Sequence, residues 1–161
     1  MTAGGFAAAT GDGPTRPPGE AERRAAEVRV AFEGLLQIRR LTHTASGDPR
    51  AVPALWERNQ PVRAVALALE AAGIAPSAVD AEGRRVATGY RVGPGEAPGT
   101  VRVEWLGPPG GGAAHEEDRA LGECARVLGG LGWEALLYRG PRKRRFLEVE
   151  PVHGTDRPGR G

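Results

Sequence analysis

The stretch VRVEWLGPPGGGAAHEEDRALGECARVLGGLGWEALLYRGPRKRRFLEVEPV, residues 101–152, decides the fold class. Its first residues alternate, with Val101, Val103 and Trp105 on one side and Arg102 and Glu104 on the other. That is the period of a half-buried strand. After a Gly/Pro loop, Leu121, Ala125, Leu128 and Leu131 recur at three- and four-residue spacing with Cys124 beside them, which predicts a helix over 116–131. Gly129, Gly130 and Gly132 end it. From Trp133 the period returns to two. Ala135 and Leu137 are expected to face Leu147 and Val149 across a turn at 140–143, and Pro151 stops the last strand. Trp105 and Trp133 are expected to cover the two ends of the helix in the core.

Upstream of this stretch, Val86, Thr88, Tyr90 and Val92 alternate with Arg85, Ala87, Gly89 and Arg91, which predicts one more strand joined to the next by the loop GPGEAPGT. Before it come two helical segments. In residues 20–41, Val28, Ala31, Phe32, Leu35 and Ile38 share a face, with Arg24, Arg29, Glu33 and Arg40 off it. In residues 60–72, Val62, Val65, Ala66 and Leu69 form a narrower face, with Pro61 in the first turn and Gly73 at the end. The segment between them, holding Leu55 and Trp56, reads as a loop with room for one helical turn.

The order is therefore α-α-β-β-α-β-β. It predicts an α+β domain over residues 20–152: two N-terminal helices (20–73), then a ββαββ part (84–152). A mostly antiparallel four-stranded sheet with helices on one face is the expected architecture. Residues 1–19 and 153–161 carry too few large apolar side chains to offset chain entropy and are expected to be disordered.

Composition excludes several classes. A chain of 161 residues is one domain's worth, and a net charge of +2 creates no strong field toward nucleic acid or membrane. Only one of the 22 basic residues is lysine, Lys143, a bias expected of a GC-rich bacterial genome. The single cysteine rules out an intramolecular disulfide. No run approaches the roughly 18 apolar residues of a membrane span, and residues 1–10 lack the basic and apolar regions of a secretory signal, so a cytoplasmic location is expected.

No catalytic constellation is legible. His43, His115 and His153 have no metal-ligand spacing with Cys124 or one another. Ser46 and Ser77 lie in no nucleophile elbow, and Cys124 and His115 are more than two helical turns apart. The loop GPPGGG at 107–112 sits between strand and helix, as a phosphate cradle does, but Glu116, Glu117 and Asp118 follow it and would repel a phosphate. Residues 68–86 resemble half of a helix-turn-helix, with Gly73 and Ile74 at the turn and Val79 six residues after Gly73. The resemblance ends at Glu82 and Gly83, so an ordinary helix-to-strand connection is expected there. No cofactor and no metal are expected.

What remains is a binding protein without enzymatic activity, with two candidate surfaces. The first is the hairpin tip Arg142, Lys143, Arg144 and Arg145, flanked by Tyr138 and Phe146. Arginine forks match phosphate oxygens and the aromatic pair offers a stacking platform, so nucleic acid in a regulatory or mobile-element setting is the first reading. An acidic protein partner, or plain solvation of a hairpin tip, fits the same charges. The second surface is the N-terminal helix with Phe32, together with Trp56, as an interface for a protein partner or a second copy.

Overall fold

The computed structural model describes residues 6–43 and 47–152. The element order is α1 (Ala21–Thr42), α2 (Leu55–Asn59), α3 (Pro61–Ala71), β1 (Ala78–Val79), β2 (Arg85–Ala87), β3 (Gly89–Pro94), β4 (Val101–Leu106), α4 (Ala113–Gly129), β5 (Trp133–Arg139) and β6 (Arg145–Pro151). Four strands form one antiparallel sheet in the order β3-β4-β6-β5, and β1 and β2 make a separate two-stranded ribbon. The α+β architecture and the antiparallel four-stranded sheet match the sequence expectation. No helix is long and apolar enough to cross a membrane.

The sheet has one covered face. Val92, Val101, Val103, Leu147 and Val149 are all at most 2% exposed and meet Leu121, Cys124 and Leu128 of α4 in one core with Val65 and Leu69 of α3. Trp105 and Trp133 are buried in the same core, as expected. Helix α3 ends in a Schellman turn: Gly73 adopts φ 86°, its N–H donates to Glu70, and Ile74 N–H reaches back to Leu69 at 3.2 Å. Helix α1 packs on α3 through a smaller cluster of Val28, Leu35 and Leu67. The β4-α4-β5 connection leaves a one-strand gap, which β6 fills by pairing with both β4 and β5.

Three expectations are corrected. The strand read over 85–92 breaks at Thr88 into β2 and β3, and Val86 is exposed rather than facing inward. Gly89 is the cause, because a Cβ there would lie 2.2 Å from the Ala75 carbonyl and 2.4 Å from the Pro76 carbonyl carbon. The backbone at 75–76 runs alongside β3 at that point, in a parallel bridge of Pro76 with Tyr90. On α1, Ile38 is exposed, and Arg39 takes the inward position instead. Finally, residues 6–17 are not disordered but form a strap across α3 and β3. Residues 1–5 and the 153–161 tail lie outside the described residues.

The strap is held by backbone and charge together. Val92 N–H donates to Thr10 at 2.7 Å, Val79 N–H to Gly13, and the Tyr90 hydroxyl to the Ala9 carbonyl. Arg24 grips Glu70 bidentately at 2.7 and 2.8 Å while donating to the Ala7 carbonyl, and Ala9 N–H completes the Glu70 carboxylate. Asp12 bridges Arg85 and Arg91. Burial pushes both carboxyls up, but the Arg24 fork on Glu70 and the Arg85 and Arg91 forks on Asp12 outweigh it and hold both below their ordinary values.

A group with a depressed folded-state pKa stabilises fully above its unfolded pKa, and that contribution is lost as pH falls through the folded value. The strap is therefore expected to release below about pH 4, the ordinary carboxylate range. Hydrogen exchange should show Val92 N–H losing protection before the β4–β6 ladder does. Unchanged Val92 protection while the carboxylates titrate would show that they do not hold the strap.

Candidate functional site

The β5–β6 hairpin gathers the features that the described residues leave unexplained. Its register is continuous from Trp133↔Pro151 to Arg139↔Arg145, with Tyr138 opposite Phe146. Those two rings stack at 5.8 Å and share the sheet face opposite α4. Arg102 of β4 lies over the Phe146 ring at 3.8 Å. Glu134, Leu136, Tyr138, Phe146, Glu148 and Glu150 line a shallow groove of ≈ 380 Å³ on this open face.

The tip is not four solvated cations. Arg144 donates to Glu117 at 2.8 Å and to the Trp105 carbonyl at 2.9 Å, while Arg145 donates its N–H to Glu117 and pairs with Asp118. Glu116 accepts from the Trp105 indole at 3.2 Å. The acids after the Gly-rich loop are thus occupied by the chain's own donors at the start of α4, where the helix dipole also favours them. The turn is closed by Arg144 N–H donating to the Pro141 carbonyl at 3.2 Å, and its two central residues Arg142 and Lys143 adopt φ 61° and 63°, the left-handed pair of a tight hairpin turn but without a glycine. Each such residue costs on the order of 1–2 kcal/mol, offset here by the Arg144 and Arg145 contacts. Both side chains point to solvent, with no ion pair among the described residues.

The other arginines of the open face are interleaved with acids. Arg91 pairs with Glu104 at 3.1 Å and Arg102 with Glu148 at 3.5 Å. At the base of the hairpin Glu134 stands directly opposite Glu150, with no basic partner for either among the described residues. The hairpin is therefore basic at its tip and acidic at its base.

The N-terminal surface is less available. Phe32 is half-buried and packs against both cores, and Trp56 does the same, with Arg63 5.9 Å from its ring centroid. The Trp56 indole N–H is buried without a hydrogen-bond partner. Both side chains plug the α1–α3 seam. Cys124 is buried, and burial pushes its thiol up to about 12, which makes it an inert core residue. Among the described residues no three His, Cys, Asp or Glu side chains gather as metal ligands.

The two sheet edges differ. On β3 the outward-facing N–H groups are satisfied: Tyr90 donates to Ala75 and Val92 to Thr10, and Pro94 has none to offer. On β5, Gly140 N–H donates to Arg144 and Gly132 accepts from Val152, so the even-numbered residues between them face β6. Ala135, Leu137 and Arg139 therefore turn their N–H and C=O groups outward, and no described backbone group outside the ladder bonds to them. The side chains there are apolar on both faces: Leu136, Leu137 and Tyr138 are 46%, 52% and 46% exposed. This edge was missed in the sequence, where the signal was the unbroken apolar run Ala135, Leu136, Leu137, Tyr138. No protein family, curated protein or solved structure matches this chain.

Proposed function

We propose that the protein is a non-catalytic interaction module that accepts a further β-strand along the edge of β5. One observation carries the reading: β5 is an unbulged edge strand without proline or lysine, bearing three consecutive half-exposed large apolar residues. Isolated proteins blunt such edges, because an open row of N–H and C=O groups templates pairing with another chain. The strap and Pro94 blunt the opposite edge of the same sheet. Added main-chain hydrogen bonds would supply affinity, and Leu136 and Tyr138 on one face with Leu137 on the other would supply selectivity.

The nucleic-acid reading keeps Arg142 and Lys143, whereas Arg144 and Arg145 are engaged by Glu117 and Asp118 and the Tyr138 and Phe146 rings by each other. Hydrogen exchange in dilute protein separates the two readings. The N–H groups of Ala135, Leu137 and Arg139 are expected to exchange fast, and adding duplex DNA is expected to leave residues 140–145 unchanged. Slow exchange at the three edge amides in the dilute monomer would sink the strand-addition reading. Protection confined to 140–145 on adding DNA would favour the nucleic-acid contact.

A further inference from the structure

We infer that the strand accepted by β5 is the β5 of a second copy of this chain, paired antiparallel about a two-fold axis through Leu137. This rests on the strand-addition reading and names its partner. Two observations on the hairpin point to the occupant.

The first is charge. Glu134 and Glu150 face each other across the β5–β6 ladder with no described cation beside them, and like charges directly opposite are destabilising. Arg142 and Lys143 sit at the other end of the same hairpin, held outward by the anchored Arg144 and Arg145. Antiparallel pairing of two identical hairpins sets each basic tip beside the other's acidic base. Both unpartnered groups are satisfied by one symmetric contact, and a two-fold interface requires that kind of self-complementarity.

The second is register. A two-fold normal to the sheet pairs residues of the same face. Centred on Leu137, it sets Leu137 against its copy and Ala135 against Arg139, all of them outward-facing positions, for up to about six new main-chain hydrogen bonds. On the open face Leu136 then meets Tyr138 of the other copy, apolar against apolar, and Glu134 comes level with Gly140 at the start of the basic turn. Centring on Leu136 instead would oppose Glu134 to Tyr138 and would need the edge groups of Trp133, which is 1% exposed. The Leu137 register pairs the exposed Leu137 and Arg139 and the partly buried Ala135, and leaves the fully buried Trp133 out of the hydrogen-bonded pairs. The result is one continuous eight-stranded antiparallel sheet, built from the four strands of each copy, with α4 of both copies on the same face.

Sedimentation equilibrium of the full chain at low salt tests this. The parent is expected to have twice the mass of the chain. The tip-reversed variant Arg142→Glu/Lys143→Glu and the base-reversed variant Glu134→Arg/Glu150→Arg are each expected to weaken self-association at least about 100-fold, because like charges then meet at both ends. An equimolar mixture of the two reversed variants is expected to recover the dimer, since every contact is again between opposite charges. A reversal that merely damaged folding could not be rescued by mixing.

A parent that stays monomeric at about 1 mM, the weak end of specific binding, overturns the proposal. So does a dimer whose mass neither reversal changes. Hydrogen exchange tells which claim failed. Fast exchange at Ala135, Leu137 and Arg139 in a persistent monomer excludes the second copy and leaves the edge open to another strand. Slow exchange there in the monomer removes the strand-addition reading as well.

Discussion

Replacing Glu57 by alanine is expected to destabilise the fold by about 3–5 kcal/mol, the cost of leaving one partner of a buried ion pair uncompensated. Arg39 and Glu57 are 1% and 0% exposed and joined bidentately at 2.6 and 2.8 Å. The third guanidinium nitrogen donates to the Arg50 carbonyl and, at 2.9 Å, to that of Leu131, while Glu57 also accepts from Ala54 N–H at 3.0 Å. One arginine thus fastens α1 to the loop before α2 and to the turn that launches β5. Without the carboxylate it has no counter-charge and no route to water. Urea unfolding should show a lower midpoint at unchanged slope. The double variant Arg39→Met/Glu57→Leu should recover most of the loss, because apolar side chains of similar volume need no desolvated charge. A Glu57→Ala loss below about 1 kcal/mol, within the range of surface pairs, would show that the pair is hydrated in solution.

The second large effect is expected one residue past that anchor. Gly132→Ala should cost about 2–5 kcal/mol, combining a left-handed backbone with overpacking. Gly132 holds φ 87°, and a Cβ there would lie 2.2 Å from the Ala51 carbonyl oxygen and 2.8 Å from Pro53 Cδ. Neither atom can step aside cheaply, since both belong to backbone or a proline ring. The control is Gly122→Ala on the exposed side of α4, where nothing lies within 4 Å. It should stabilise by about 0.5–1 kcal/mol through helix propensity alone. Equal effects at the two positions, read from thermal midpoints, would refute the steric account. Because Gly132 sets where β5 begins, its substitution should also disturb self-association, whereas Gly122→Ala should not.

Local periodicity carried much of the fold. Alternation placed β4, and the three- and four-residue recurrence of Leu121, Cys124, Ala125 and Leu128 placed α4 within a turn of its limits. That Ala135 and Leu137 face Leu147 and Val149 was legible because a short turn leaves two alternating strands few registers, and the structure pairs Ala135 with Val149 and Leu137 with Leu147. The strap was not legible. Its residues 7–14 bury little apolar area of their own, and what orders them is Glu70, Arg85, Arg91 and the outward N–H groups of β3, all more than 50 residues away in sequence. Arg39 was hidden for a related reason. An arginine on an apolar face looks out of place until Glu57 is known to meet it.

The candidate site divides along the same line. Sequence alone determined that a hairpin exists, that PRKRR forms its tip with Tyr138 and Phe146 on either side, and that acids crowd the start of α4. All of these are local in sequence. Only the tertiary structure decided that β6 inserts between β4 and β5, which makes β5 an edge and leaves Leu136, Leu137 and Tyr138 half-exposed. It also decided that Glu117 and Asp118 take Arg144 and Arg145, so that two of the four tip cations remain turned outward. Strand order and ion-pair partners are contacts between distant segments, and the period of a side-chain pattern says which face is apolar without saying what will cover it.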